Sequence, residues 1–287
     1  MLILNCSRHL GHFKRMIGQT NQYLITILIG LEGVRTGEVV KGESFKVSWK
    51  PESLEETTKR SRIFVRNAAL AWTIDSLDAY LGFLRKQSFD FSSSFTTDIA
   101  NERSVFKMLK MIIEFAKYPD DLPLSIVQLG IQWRNNLVHY HATNELEEKY
   151  ASLLRNVKIE SIQDRFRGLD PELMLKNFKE NNSPTFKEVA AIVQSTHYLV
   201  LELDDILKEY LNLKIIIEEI IKENATDIDK IVLSHPENKL RKMKQYLITK
   251  GFIEVEKTIS KAKIEDSEIE KIIEKEYNKR KEVRDNK

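Results

Sequence analysis

The chain contains a single cysteine, Cys6, among 287 residues. A disulfide framework within one chain and a multi-cysteine zinc site are thereby excluded. A reducing compartment suits such a sequence, and a cytoplasmic location is expected. Chain breakers are scarce as well, with 10 glycines and 6 prolines. That scarcity disfavours a many-turned sheet protein and favours long helices. Net charge is nearly absent: Lys and Arg total 45 against 43 Asp and Glu, a formal charge of +2. Global attraction to nucleic acid is excluded, so an anionic partner has to be drawn by a local patch. No apolar run approaches the roughly 20 residues that span a bilayer, and no membrane partner is expected. The most apolar stretch, Leu24 to Leu31, is followed at once by Glu32 and Arg35, with no evident small-residue cleavage site. It reads as a buried helix and not as a leader. A glycine-rich phosphate loop, a nucleophile-elbow serine and a metalloprotease helix motif are also missing.

What is present is ordinary globular material, 42% hydrophobic and 31% charged, long enough for one main domain and an appendage. Three parts are expected: 1–51, 52–212 and 213–287. In the first, a helix runs from about His12 to Arg35. An irregular stretch with Gly33, Gly37, Gly42 and Pro51 follows, in which Phe45, Val47 and Trp49 alternate as a short strand would. In the second, Glu52 to Lys86 reads as a helix from Ile63, Leu70, Ile74, Leu77 and Leu81. Ser88 to Thr97 reads as a loop. Further helices cover Asn101 to Tyr118, Leu124 to Ala142 and Asn144 to Val157, and short ones cover Ile159 to Asn182. Pro184 opens a long helix, as Pro in a first turn can. In the third part, Lys214 to Glu223 is helical, Asn238 to Thr249 is a basic helix, and Phe252 to Glu256 suits a small strand. From about Ile264 the chain is charge-rich, like a solvated or frayed helix. The fold class is all-α, with a helical, weakly winged-helix-like C-terminal appendage.

The conspicuous chemistry is the run Trp133-Arg134-Asn135-Asn136-Leu137-Val138-His139-Tyr140-His141. Treated as a helix, it places Trp133, Leu137 and Tyr140 on one apolar face. Asn135 and His139 share a second face, and Arg134, Val138 and His141 a third. The polar groups thus flank a packing stripe. Arginine's planar fork matches phosphate oxygens. Histidine is the side chain poised for proton transfer near neutral pH. Asparagine can orient either one or a ribose hydroxyl. The set suits phosphodiester cleavage without metal.

Arg134-Asn135-Asn136-Leu137-Val138-His139, late in a helical bundle and ahead of another long helix, resembles the signature of the HEPN superfamily: Arg, four to six residues, then His, often with Asn after the Arg. The resemblance spans about Glu52 to Leu211. It implies an all-α bundle and, for many members, a metal-independent endoribonuclease of toxin or antiviral type. It implies a homodimer in which both copies of the motif form one composite site, with RNA as substrate. By the same resemblance Arg134 and His139 are catalytic and Asn135 supports them. An acidic residue from an earlier helix is often near such sites, and Asp75 and Asp78 are both candidates. His141, six residues beyond Arg134, is the alternative histidine or an assistant. Such an enzyme has to be held inactive, which implies a regulatory partner protein or ligand. The competing reading is a non-catalytic helical binding module.

The remaining polar residues carry less. Cys6, His9 and His12 form a weak metal set without an acidic partner, so no metal and no cofactor is expected. His197, beside an apolar stripe, reads as a core histidine, and His235, before a proline, as a loop residue. Lys239 to Lys244 reads as a solvated basic face, with a phosphate-tracking surface as the sharper option.

Overall fold

The computed structural model describes residues 1–86, 89–139, 142–166, 168–258 and 260–285. The chain is all-α apart from one small sheet, and it divides into two compact units, each assembled from separated segments. One unit comprises 12–82 and 103–202; the other comprises 1–11, 83–102 and 203–287. Positions 51 and 212 each lie inside one of these units.

The larger unit is built on α2 (Thr20–Thr36), α3 (Leu54–Phe83), α5 (Val105–Ala116), α6 (Asp121–Val138), α7 (Glu148–Asn156), α8 (Ile159–Arg165), α9 (Pro171–Lys179) and most of α10 (Phe186–Leu207). Its core takes Leu70, Ile74, Leu77 and Leu81 from α3, and Met108, Leu109 and Ile112 from α5. Val189, Ile192, Val193, Leu199 and Val200 come from α10. These are the helical stripes that the three-four spacing marks out. Helix α10 starts two residues after Pro184. Thr185 Oγ1 accepts from Glu188 N–H, and Glu188 Oε2 accepts from Thr185 N–H at 2.6 Å, a reciprocal capping box.

The stretch expected as one helix from His12 to Arg35 is two. Helix α1 (Arg8–Ile17) ends at Gly18, where an added Cβ would lie 2.5 Å from the Lys14 carbonyl oxygen. The expected burial of Leu24 to Leu31 is not met. Only Thr20 and Leu24 of α2 are buried, while Ile29 is 67% exposed. The reason lies in the residue distribution: α2 is apolar on nearly every side, so burying one side leaves other apolar residues exposed. Residues 45–49 form no strand; the segment is irregular, and Phe45 and Val47 are exposed.

In the smaller unit, β1 (Leu2–Leu4) lies between β2 (Phe252–Glu254) and β3 (Lys263–Ile264) and is antiparallel to both. The helices α11 (Leu213–Glu223), α12 (Ala225–Val232), α13 (Pro236–Thr249) and α14 (Asp266–Asp285) belong to this unit. The strand β2 follows the basic helix as a winged-helix pattern requires. Yet β2 and β3 do not pair as a wing hairpin, because β1 separates them. Helix α14 is not solvated all round: Ile269, Ile272 and Ile273 are buried. A short helix, α4 (Ser93–Asn101), replaces the expected loop, with Ser92 Oγ accepting from Phe95 N–H. Among the described residues, no helix is long and apolar enough to cross a membrane.

Candidate functional site

Helix α6 carries the signature, and it is anchored along its whole length. At its start, Asp120 Oδ1 accepts from Leu122 N–H at 3.2 Å, and Oδ2 accepts from Arg165 Nη1 at 2.6 Å. In its middle, Gly130 lets α10 approach closely; a Cβ there would stand 2.8 Å from Ile192 Cγ2. Near its end, Trp133 is fully buried and donates Nε1–H to the Asn182 carbonyl at 2.9 Å, with the Phe178 ring edge-on at 6.0 Å. Burial of one such side chain contributes roughly 1.5–3 kcal/mol or more. The face expected to pack inward does so at Trp133 and partly at Leu137. Tyr140 lies outside the described residues.

Rigid packing at Trp133 fixes the next residue. Arg134 Nη2 donates to Asp75 Oδ1 at 2.7 Å, and Nη1 donates to Asn135 Oδ1 at 3.3 Å. The Arg134 side chain is 23% exposed, the Asp75 carboxylate 54%. Arg134 Nε is buried with no partner among the described residues. A guanidinium has five N–H donors, so the two on Asp75 and Asn135 leave others for an anion. Of the two acidic candidates on α3, it is Asp75 that meets Arg134. Asp78, exposed, sits three residues further along the same helix.

The helix ends earlier than periodicity implies. It stops at Val138, and His139 is its C-cap, with extended backbone (φ −105°, ψ 107°) and an N–H donated to the Asn135 carbonyl at 3.0 Å. His139 is exposed at this helix end. The alternative histidine, His141, lies outside the described residues. The early stop has a visible cause, which the sequence reading missed. Asn136 Oδ1 accepts from Asn144 N–H at 2.8 Å and from Asn144 Nδ2 at 3.0 Å, while Asn136 Nδ2 donates to the Asn144 carbonyl at 3.0 Å. Three bonds from one side chain draw the chain back towards α6 and compete with further helix. The available signal was the Asn-rich composition of the run, since Asn is a poor helix former and a good backbone mimic. Asn136 and Asn144 also line one wall of an open groove of about 450 Å³ that runs along α7 and α9 past Arg155 and Lys179.

The basic run on α13 is mostly committed. Lys244 reaches Glu254, and Asp266 at 2.9 Å. Lys239 lies over the Tyr277 ring at 4.1 Å, and Lys250 over Tyr246 at 5.0 Å. Of the basic residues in the run, Arg241 and Lys242 are exposed, and Arg241 donates to Asn238 Oδ1 at 3.1 Å. His9 stacks on Phe83 at 4.8 Å. The described residues hold no cluster of three or more metal-ligating side chains. His197 is packed edge-on to Phe13 at 5.5 Å, and burial holds its pKa below the usual value.

Fold and site together define an all-α protein with an Arg–Asp–Asn cluster at the C-terminal end of an anchored helix. Compared with protein-family models, curated proteins and solved structures, the chain matches none of them.

Proposed function

We propose that the chain is a metal-independent endoribonuclease of the HEPN type, which cleaves RNA by attack of a ribose 2′-OH on the adjacent phosphate. The observation that carries this reading is the Arg134 guanidinium, gripped by Asp75 and Asn135 one turn before the exposed His139. In the mechanism His139 takes the 2′-OH proton and later returns one to the leaving 5′ oxygen. Arg134 balances the charge that grows on the phosphorane oxygens. Asn135 and Asp75 hold the guanidinium plane. The products are a 2′,3′-cyclic phosphate and a 5′-OH end.

His139 stands just past the helix end, with extended backbone, while Arg134 lies within the helix; a composite site made by two copies about a two-fold axis is the arrangement that the resemblance suggests. The setting is toxin-like or antiphage defence, with activity restrained by a partner protein or ligand until needed. The direct test is cleavage of total RNA in EDTA. Activity should persist in EDTA and disappear in Arg134→Ala and in His139→Ala. A requirement for magnesium, or full activity in both variants, overturns the proposal.

A second reading is a non-catalytic helical binding module. It draws on the same Arg134–Asp75 pair, which neutralises the cation and ties α6 to α3. It expects no cleavage by the wild-type chain under any condition and an ordinary stability loss on breaking the pair.

A further inference from the structure

The charge of the whole chain is nearly balanced, so an anionic partner has to be drawn by a local patch. One lies on the first half of α3. Between Glu56 and Asp75 this helix carries Lys59, Arg60, Arg62 and Arg66 and no acid. Arg62 pairs with Glu32, and Lys59 with Glu56 at 4.0 Å. Arg60 is exposed and makes no ion pair among the described residues. One turn beyond Arg60, the Phe64 side chain is 73% exposed.

These two residues are in line with the Arg134 ion pair. At ~100° per residue, Arg60, Phe64, Ala68, Ala71 and Asp75 fall within about 80° of one another around α3. All are exposed except the half-buried Ala71. Asp75 is the residue that holds Arg134 at 2.7 Å. With a rise of about 1.5 Å per residue, Phe64 stands roughly 16 Å, and Arg60 roughly 22 Å, from Asp75 along the axis. The two alanines leave the face open between Phe64 and Asp75.

We infer that this face of α3 is the track for the single-stranded RNA that flanks the cut, with Phe64 stacking on a base and Arg60 holding a backbone phosphate. The inference rests on the ribonuclease reading and adds which form of RNA the chain holds and over what length. An exposed ring with an unpaired guanidinium one turn away offers a single strand both of the contacts it uses, base on aromatic and phosphate on arginine. A duplex keeps its bases stacked on one another and so cannot use the ring; proteins read it by shape and backbone. At roughly 3.4 Å per nucleotide in a stacked strand, the distance from Asp75 to Arg60 corresponds to about six nucleotides, and to fewer where the strand is extended.

Fluorescence anisotropy of a labelled single-stranded RNA of about 12 nucleotides tests it. The full chain carries His139→Ala, in EDTA, so that the RNA stays intact. Adding Phe64→Ala should weaken binding about fivefold or more, the stacking of one base being lost. Adding Arg60→Gln should weaken it too, and should lower the slope of log affinity against log salt by about 0.7. Both positions are exposed, so the melting temperature should be retained. With His139 intact, Phe64→Ala should raise KM for the same RNA and leave kcat nearly unchanged. RNA bound equally well by the parent and by both variants overturns the inference, and so does an absence of RNA binding. If the wild type cuts RNA to cyclic-phosphate ends while neither substitution alters binding, the track fails alone. If binding depends on both residues and the wild type never cuts, the RNA surface stands and the catalytic reading fails.

Discussion

Gly130→Ala tests whether α6 is held as tightly as its surroundings imply. In an exposed helix the change stabilises by up to about 1 kcal/mol, since glycine costs that much against alanine. At Gly130 the new methyl would lie 2.8 Å from Ile192 Cγ2, inside normal contact. Ile192 is fully buried, so it has little room to give. Overpacking of this kind costs about 1–3 kcal/mol and exceeds the propensity gain. The expected net loss is about 1–2 kcal/mol, a drop of roughly 2–4 °C in Tm for a chain of 287 residues. Urea unfolding followed by far-ultraviolet circular dichroism measures it. Gly11→Ala is the control: nothing lies within 4 Å of its added carbon, and it sits inside α1. It should be neutral or stabilise by a few tenths of a kcal/mol. If both variants stabilise equally, the close approach of α6 and α10 is absent and the anchoring argument fails.

Asp75→Asn breaks an exposed ion pair, so stability should fall by less than about 1 kcal/mol, while RNA cleavage should fall by at least about tenfold because the guanidinium loses its orientation; equal, small effects on both would favour the binding-module reading. Asn136→Ala removes three hydrogen bonds to Asn144 and should cost about 1–2 kcal/mol, with faster amide exchange at Asn144 and Glu145; unchanged exchange would contradict the role assigned to Asn136. Burial chiefly holds the His197 pKa below the usual histidine value; a backbone hydrogen bond with Ile17 opposes this and nearby Lys14 acts in the same direction as burial. The histidine's folded pKa lies below its unfolded one, so its contribution is present above about pH 6.5 and lost as pH falls through the lowered value. His197→Phe should therefore flatten the decline in stability between about pH 7 and 5; an unchanged slope refutes this.

Much of the helical fold was legible because its core residues recur at helical spacing. Leu70, Ile74, Leu77 and Leu81 mark α3 directly. Ends were less legible, since side chains decide them. Asn136 stops α6 by binding Asn144, a partner eight residues on that no periodicity reveals. Ser92 starts α4 inside a segment whose Ser, Thr and Phe content suits a loop. Leu24 to Leu31 is legible as apolar, but apolar composition does not say whether a segment is buried, and of these residues only Leu24 is. At the site, the Arg-Asn run was visible, whereas the choice of Asp75 over Asp78 required the fold. Those two residues differ by less than one helical turn, and only the packing of α3 against α6 decides which one meets Arg134.

The central claim concerns Arg134 and His139 acting on RNA, and the chemistry of the cut ends tests it most directly. RNA treated with the wild-type chain in EDTA should carry 2′,3′-cyclic phosphate and 5′-OH termini, and the Arg134→Ala, His139→Ala double variant should yield none. Cuts bearing 5′-phosphate and 3′-OH ends, or cyclic-phosphate ends that persist undiminished in the double variant, would contradict it.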